Sequence, residues 1–245
     1  MSPQREPTPS YCHACQSCVA FTVTGPWLRS NLRCPRCDSV VRERAVAYRV
    51  STLLPDWRRL AIHEIAPAPR AFALKLKAEC PGYVASHWFP SQALGTTVNG
   101  YRNENMERQT FDDASFDCVI SLDVMEHVFD PAAAYREIFR TLRPGGFYVH
   151  TFPIHKRQLA AVIDRARLRE DGSIEHLVEP PEYHGNPVDA KGSLVTKDYG
   201  YDIGEQIAEW APFDVEISRF WDRSLGLMGA YSEVVVCRRP ATAAA

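Results

Sequence analysis

Three groups of residues in this chain carry side chains and spacings that could do chemistry. Near its start, Cys12-x2-Cys15 and Cys34-x2-Cys37 make two knuckles separated by 18 residues. Zinc takes four soft ligands in a tetrahedron, and two such knuckles supply them, so the pattern predicts a structural zinc ribbon over residues 11–45. Cys18 forms a second possible knuckle with Cys15 and could replace Cys12; we read it instead as a small hydrophobe that opens the next strand. In mid-chain, Asp123-x-x-Glu126-His127 puts two carboxylates and an imidazole within about one turn of chain. Such groups facing a cleft hold a hard divalent cation such as Mg²⁺. Alternatively His127 takes a proton from a hydroxyl as general base. In a third reading the pair is structural, with Glu126 satisfying free amides at a helix start and His127 packed beneath. The last group lies at His155 and in a loop spanning 170–197, where Tyr183-His184-Gly185-Asn186-Pro187 gathers an aromatic ring, an imidazole and an amide. A loop of that length in a compact domain is usually functional, and this one is expected to close an acceptor pocket.

These groups need a scaffold. Cys118-Val-Ile-Ser121 is a short apolar run that reads as a buried parallel strand. Asp130-Pro131 opens a helix, with Asp as N-cap and Pro at the first helical position. Ala134, Ile138 and Leu142 give it an apolar stripe, widened by Tyr135 and Phe139. Pro144-Gly145-Gly146 ends it, and Phe147–Phe152 is the next strand, completing a right-handed βαβ unit. Upstream, strands are expected over Leu60–Ile65, Gly82–Ser86 and Thr97–Val98, with a helix over Ala71–Glu79. A helix over Glu43–Leu54 presents Val46, Val50, Leu53 and Leu54 and bridges the ribbon to the main domain. In the ribbon, VAFTVT and the Gly25-Pro26 turn suggest a hairpin between the knuckles. Downstream, helices are expected over Gln158–Arg169 and Asp202–Trp210. Two closing strands, Phe213–Ile217 and Tyr231–Cys237, follow, one of them antiparallel. The fold class is therefore α/β: a Rossmann-like sheet with helices on both faces over 46–239, a flexible leader at 1–10 and a tail at 240–245.

The stretch FDCVISLDVMEHV, followed by YREIFRTLRPGGFYVHTFP, resembles the central part of class I S-adenosylmethionine (SAM) dependent methyltransferases. The resemblance is specific over about Val98–Pro153 and implies SAM as cofactor. By position it assigns Glu64 to the acidic residue that opens the family's cofactor motif. Ala66 and Pro67 stand where that motif is ordinarily glycine-rich, and the loop Glu64–Arg70 contains no glycine. His87 occupies the place of the acid that grips the ribose hydroxyls, and His87-Trp88-Phe89 could instead pack over the ligand. Asn105 and Met106 match the positions that meet the adenine ring, and Ser121 or Leu122 should touch the cofactor. Metal-dependent O-methyltransferases of RNA ends and of quinone precursors are similar in their acid-x-x-Glu-His set, completed by a later histidine; here that is His184, with His155 as runner-up. The segment CPRCDSVVRER resembles the end of a zinc ribbon that precedes the SAM fold in methyltransferases of surface-sugar and natural-product pathways. The implied activity is methylation of an oxygen on a small molecule or sugar. The pocket edge offers histidines and carboxylates and lacks the aromatic-flanked Pro-Pro motif that amino-base methylases carry. The alternative is a non-catalytic adaptor that keeps the fold while its ribbon binds nucleic acid or protein.

A net charge of -2 exerts no broad pull on nucleic acid or an anionic membrane. The ribbon's Arg29, Arg33, Arg36, Arg42 and Arg44 are spread out, which suits a structural plug or lid over the main domain better than a nucleic-acid surface. No apolar run approaches the ~18 residues of a membrane-spanning helix. The first ten residues lack the apolar core of a signal peptide, so the expected location is the cytoplasm. Thiols there serve as metal ligands or packed side chains rather than disulfides.

Overall fold

The structure is a computed structural model that describes residues 10–186 and 188–241. The expected leader up to residue 9, Pro187 and the tail from residue 242 lie outside the described residues. An eight-stranded sheet positions everything else. Its strands are β1 (Ile62–Ile65), β2 (Tyr83–His87), β3 (Thr97–Val98), β4 (Tyr101–Asn103), β5 (Phe116–Leu122), β6 (Leu142–Thr151), β7 (Asp214–Ser218) and β8 (Val234–Arg238). They lie in the order β7-β8-β6-β5-β1-β2-β4-β3. The five central strands β6, β5, β1, β2 and β4 are parallel, β8 runs antiparallel to both β6 and β7, and β3 is antiparallel to β4. The carboxyl ends of the parallel strands therefore share one edge, where ligands of open α/β sheets bind.

Side-chain alternation along β5 splits the core in two. Val119 faces a cluster with Ala134, Tyr135 and Ile138 of α4 (Pro131–Thr141) and with Ile203 and Ile207 of α5 (Ile203–Trp210). Cys118 and Ile120 face the other cluster, with Val46 and Val50 of α2 (Val41–Leu53) and Phe72 and Leu76 of α3 (Ala71–Glu79). Asp130 caps α4 by accepting from the Ala133 amide at 2.9 Å, and Pro131 follows at the first helical position. The Pro144–Gly146 turn is absorbed as a bulge between the pairs Leu142–Phe116 and Phe147–Cys118. A Cβ on Gly146 would stand 2.9 Å from the Arg143 carbonyl and 3.0 Å from that of Asp117, so this close approach of two backbones requires glycine.

The cysteine-rich head is docked on the second core cluster, to which Cys12 and Cys34 belong. The hairpin expected between the knuckles is split into two. Ser10–Cys12 pairs with Ser17–Val19, and Thr22–Val23 pairs with Leu32–Arg33, so the VAFTVT run divides between them. The short helix α1 (Leu28–Asn31) fills the second loop. Arg44 of α2 is fully buried, donates from Nη2 to the carbonyls of Leu32 (2.9 Å) and Gly226 (2.8 Å), and lies 4.2 Å above the Phe21 ring. One side chain thus ties the head to the segment before β8.

The helix expected over Gln158–Arg169 is not formed. Val162–Asp164 pairs antiparallel with Lys197–Gly200, and Ala166–Leu168 pairs with Ile174–His176 around a turn whose Gly172 has φ +80°. The β-branched pair Val162-Ile163 suits a ladder better than a helix, and Leu159, placed on the expected apolar face, is 89% exposed. The loop over 170–197 is likewise more ordered than expected, since Tyr183–His184 and Ser193–Leu194 form a hairpin. Among the described residues no helix is long and apolar enough to cross a membrane.

Candidate active site

A cavity of about 670 Å³ opens at the carboxyl edge of the sheet. That is within the usual size of a small-molecule site. The loops that follow β1, β2, β4 and β5 line it, the hairpin at 183–193 closes one side, and Arg29, Arg42 and Glu43 come in from the head and α2. After β1 the chain turns through Ala66 with φ +53°, and the Ala66 amide donates to the Ser86 carbonyl at 2.8 Å. The glycine missing from this loop is thus replaced by an alanine held in a glycine-like conformation, at a cost of about 1 kcal/mol. Glu64 is buried in the wall, accepts the Tyr83 hydroxyl at 2.6 Å, and has its pKa pushed up to about 7. Burial is the main cause and the charge of Glu43 adds to it, while the Tyr83 hydrogen bond opposes both.

His87 also lines the cavity, but its Nε2–H donates to the Pro67 carbonyl at 3.2 Å and its ring packs edge-on against Tyr101 at 4.5 Å. Burial lowers its pKa and keeps it neutral. It braces the β1 loop and is poorly placed to grip two hydroxyls as an acid would. Asn105, Met106 and Leu122 line the cavity; Asn105 Oδ1 also accepts from the Glu107 amide at 2.8 Å. Ser121 does not. It is fully buried and shares a 2.7 Å hydrogen bond with the Tyr148 hydroxyl. Strand parity explains this correction: Ser121 falls on the Val119 face of β5, toward α4 and α5.

Asp123 is the second correction. Its carboxylate accepts from Arg29 Nη2 at 2.6 and 2.8 Å, from Arg42 Nε at 2.9 Å and from the Thr151 hydroxyl at 3.0 Å. Burial by itself would raise its pKa, but the two arginines and their hydrogen bonds outweigh it and hold it below the ordinary carboxylate value. Its oxygens are spent, and it does not join the neighbouring acid and histidines. Nothing local marks this partnership, because Arg29 lies 94 residues away.

Glu126, His127 and His184 do come together, each offering one ligand atom within 4.8 Å of the others. Glu126 is 2% exposed, and neither carboxylate oxygen has a hydrogen-bond partner among the described residues. His127 Nδ1–H donates to the Leu194 carbonyl at 2.8 Å, which leaves Nε2 as an acceptor 4.0 Å from Glu126 Oε1. His184 places Nδ1 3.6 Å from Glu126 Oε1 and Nε2 3.1 Å from Glu182 Oε1. The Glu126 carboxylate raises the His184 pKa, burial opposes it, and Glu182 adds to the rise. His155 is elsewhere. It does not line the main cavity, its Nε2 stands 3.6 Å from Asp198 Oδ1, and its ring lies 5.6 Å from Tyr231.

In the head, the Sγ atoms of Cys12, Cys15, Cys34 and Cys37 gather within 4.8 Å of one another, and Cys18 is exposed outside the group. Cys12–Cys37 is 3.8 Å and Cys15–Cys34 is 3.9 Å. A regular tetrahedron with Zn–S of about 2.3 Å has edges of about 3.8 Å. A disulfide would need about 2.05 Å. The four thiols could therefore hold zinc with little movement.

Residues 83–150 match the family model described as a methyltransferase domain. A probable SAM-dependent methyltransferase of Mycolicibacterium smegmatis is 40% identical over 52 residues, 21% of this chain and 20% of that protein. The chain thus spans about one fifth of the length of the curated relative it matches. The crystal structure of a SAM-dependent methyltransferase from Mesorhizobium loti is similar with a TM-score of 0.51 at 16% identity, over 80% of this chain and 98% of that one. The glycopeptide N-methyltransferase MtfA in complex with S-adenosylhomocysteine is similar with a TM-score of 0.51 at 14% identity, over 82% of this chain and 90% of that one. The architecture is the Rossmann-like fold of these methyltransferases.

Proposed function

We propose that the chain is a SAM-dependent methyltransferase acting on a hydroxyl oxygen of a small molecule or sugar. One observation carries this reading: the cavity at the carboxyl edge joins Glu64, Ala66, Pro67, Asn105, Met106 and Leu122 on one side to His127 and His184 on the other. The buried Glu64 carboxylate suits the cationic amino-acid end of the cofactor. The left-handed Ala66 turn lets backbone approach it closely. Asn105 and Met106 suit the adenine ring. When bound, SAM supplies an electrophilic methyl group. The chain's task is then alignment and proton removal. His127 is the base, because the Leu194 carbonyl holds its Nδ1 proton and leaves Nε2 free to take the hydroxyl proton. The buried carboxylate of Glu126 stabilises the imidazolium that forms, and His184, between Glu126 at 3.6 Å and Glu182 at 3.1 Å, fixes the hairpin over the site. In the head, Cys12, Cys15, Cys34 and Cys37 hold a structural zinc ion.

Isothermal titration with S-adenosylhomocysteine tests the reading. Wild type should bind with micromolar affinity. His127→Ala and Glu126→Gln should bind equally well yet lose turnover of hydroxyl acceptors. Absence of binding at millimolar ligand would favour the non-catalytic adaptor. A second reading is favoured by the two unpaired oxygens of Glu126. With His127 Nε2 and His184 they could ligate a divalent cation, Mg²⁺ or one better suited to two imidazoles such as Mn²⁺, while Leu194 and Glu182 hold the other ring nitrogens. Mn²⁺ binding lost in Glu126→Gln would support it, and activity indifferent to chelators would remove it.

A further inference from the structure

A second cavity, of about 330 Å³, adjoins the first, and His184 and Arg29 line both. We infer that it is the acceptor subsite, and that it takes a neutral, hydroxyl-rich ring of the size and chemistry of a sugar. The inference rests on the methyltransferase reading above and adds to it where the acceptor sits and what kind of molecule it is.

Position is the first argument. His127 opens on the first cavity, Glu126 on the second and His184 on both. This cluster thus stands at the border of the two cavities, together with Arg29, which lines both. Glu126 lines the second cavity with a buried carboxylate whose oxygens accept no hydrogen bond from the described residues, His184 Nδ1 standing 3.6 Å away. A ligand hydroxyl is a donor for them.

The wall is the second argument. Trp27 is 48% exposed, and its ring lies 6.1 Å from that of Tyr231 at 46°. His155 also lines the cavity, its ring edge-on to that of Tyr231 at 5.6 Å. Three segments far apart in sequence thus build one aromatic ledge. Arg29 Nε donates to the Tyr231 carbonyl at 2.7 Å and fixes it, and Tyr231 is held at φ +54°, a conformation a bulky residue rarely adopts. An aromatic face bordering polar groups suits the C–H face of a saturated ring whose hydroxyls point outward.

Charge is the third. Each arginine and lysine of the lining already stands beside a carboxylate: Arg29 beside Asp123, which it shares with Arg42, Lys197 beside Asp164 at 2.6 Å, and Arg165 beside Asp198 at 2.9 Å and Glu182 at 3.3 Å. Among the described residues no cation of the lining stands without a carboxylate beside it to meet a phosphate or carboxylate, whereas Glu126, 3.6 Å from His184 Nδ1, adds acceptor oxygens. The lining selects a ligand that donates hydrogen bonds and carries no negative charge. The head contributes Trp27 and Arg29, so the ribbon takes part in acceptor recognition as well as in folding.

Saturation-transfer NMR on the full zinc-loaded chain with S-adenosylhomocysteine tests this. The probes are methyl α-D-glucopyranoside, methyl α-D-galactopyranoside and myo-inositol, with glucose 6-phosphate as the charged comparison. At least one neutral probe should be saturated, with weaker signals from glucose 6-phosphate. Trp27→Ala and Tyr231→Ala should weaken that probe's binding by about three- to ten-fold. Trp27→Phe should restore most of it, and cofactor affinity should be unchanged throughout. Equal or stronger binding of glucose 6-phosphate would overturn the assignment. So would silence from all neutral probes, or loss of saturation in neither alanine variant, while S-adenosylhomocysteine still binds. Failure of S-adenosylhomocysteine itself to bind would instead remove the methyltransferase reading on which this one stands.

Discussion

Cofactor affinity should depend on pH through Glu64, and the dependence can be worked from its surroundings. Burial raises this carboxyl to about 7, and Tyr83 is the hydrogen-bond partner that holds it. If the ionised form receives the cationic end of the ligand, the apparent Kd equals its limiting value multiplied by one plus the ratio of protonated to ionised Glu64. At about pH 6 that factor is about 11, and at about pH 8 it is about 1.1, a tenfold change worth about 1.4 kcal/mol. Binding at the lower pH should release about 0.9 proton, and at the higher pH about 0.1. The free protein should behave in the opposite sense. A carboxyl whose folded pKa lies above its unfolded value contributes stability at low pH, and that contribution falls as pH rises from about 4.5 through about 7. Isothermal titration of S-adenosylhomocysteine across this range, in two buffers of different ionisation enthalpy, measures both affinity and proton release. Glu64→Gln should bind weakly at every pH and flatten the profile. A flat wild-type profile, or an unchanged slope in Glu64→Gln, would refute the placement of the ligand's cationic end at this carboxylate.

Other perturbations follow from the same geometry. Ala66→Gly should leave stability unchanged or raise it by up to about 1 kcal/mol in denaturant melts, against the usual loss for such a change, because Ala66 is already at φ +53°. Gly226→Ala should cost about 1–3 kcal/mol and loosen the head, since a Cβ there runs into the Phe21 ring at φ +63°; thermal denaturation and limited proteolysis would read it. Asp123→Asn should cost about 2 kcal/mol or more by leaving Arg29 and Arg42 largely buried without a counter-charge, measured by chemical denaturation. Cys34→Ser should reduce bound zinc from about one ion per chain to near none by elemental analysis, and lower the thermal midpoint.

Much of the scaffold was legible because its signals are local. The run from Phe116 to Phe152 carries its own strand, cap, apolar stripe and glycine turn, and the two cysteine knuckles announce a four-thiol cluster once Cys18 is read as a strand residue. The proposed cofactor edge was legible only through resemblance, since a turn without glycine gives no backbone signal; in the structure Ala66 takes up the left-handed conformation there. Ser121 was misplaced although the alternation along β5 puts it on the Val119 face. The Gln158–Arg169 segment carries a helical stripe that its antiparallel partner, Lys197–Gly200, overrides. The grip of Arg29 and Arg42 on Asp123 had no sequence signal, because it joins the head to a strand end across a tertiary contact. The same contact withdraws Asp123 from the acid–histidine cluster.

The account depends on an adenosyl cofactor lying along the carboxyl edge of the sheet. Diffraction from crystals grown with S-adenosylhomocysteine tests this most directly. The account predicts ligand density in the main cavity, with the amino-acid end at Glu64 and the Ala66 turn, adenine at Asn105 and Met106, and sulfur toward His127 and His184. An empty cavity at millimolar ligand, or density on another face of the sheet, would contradict it.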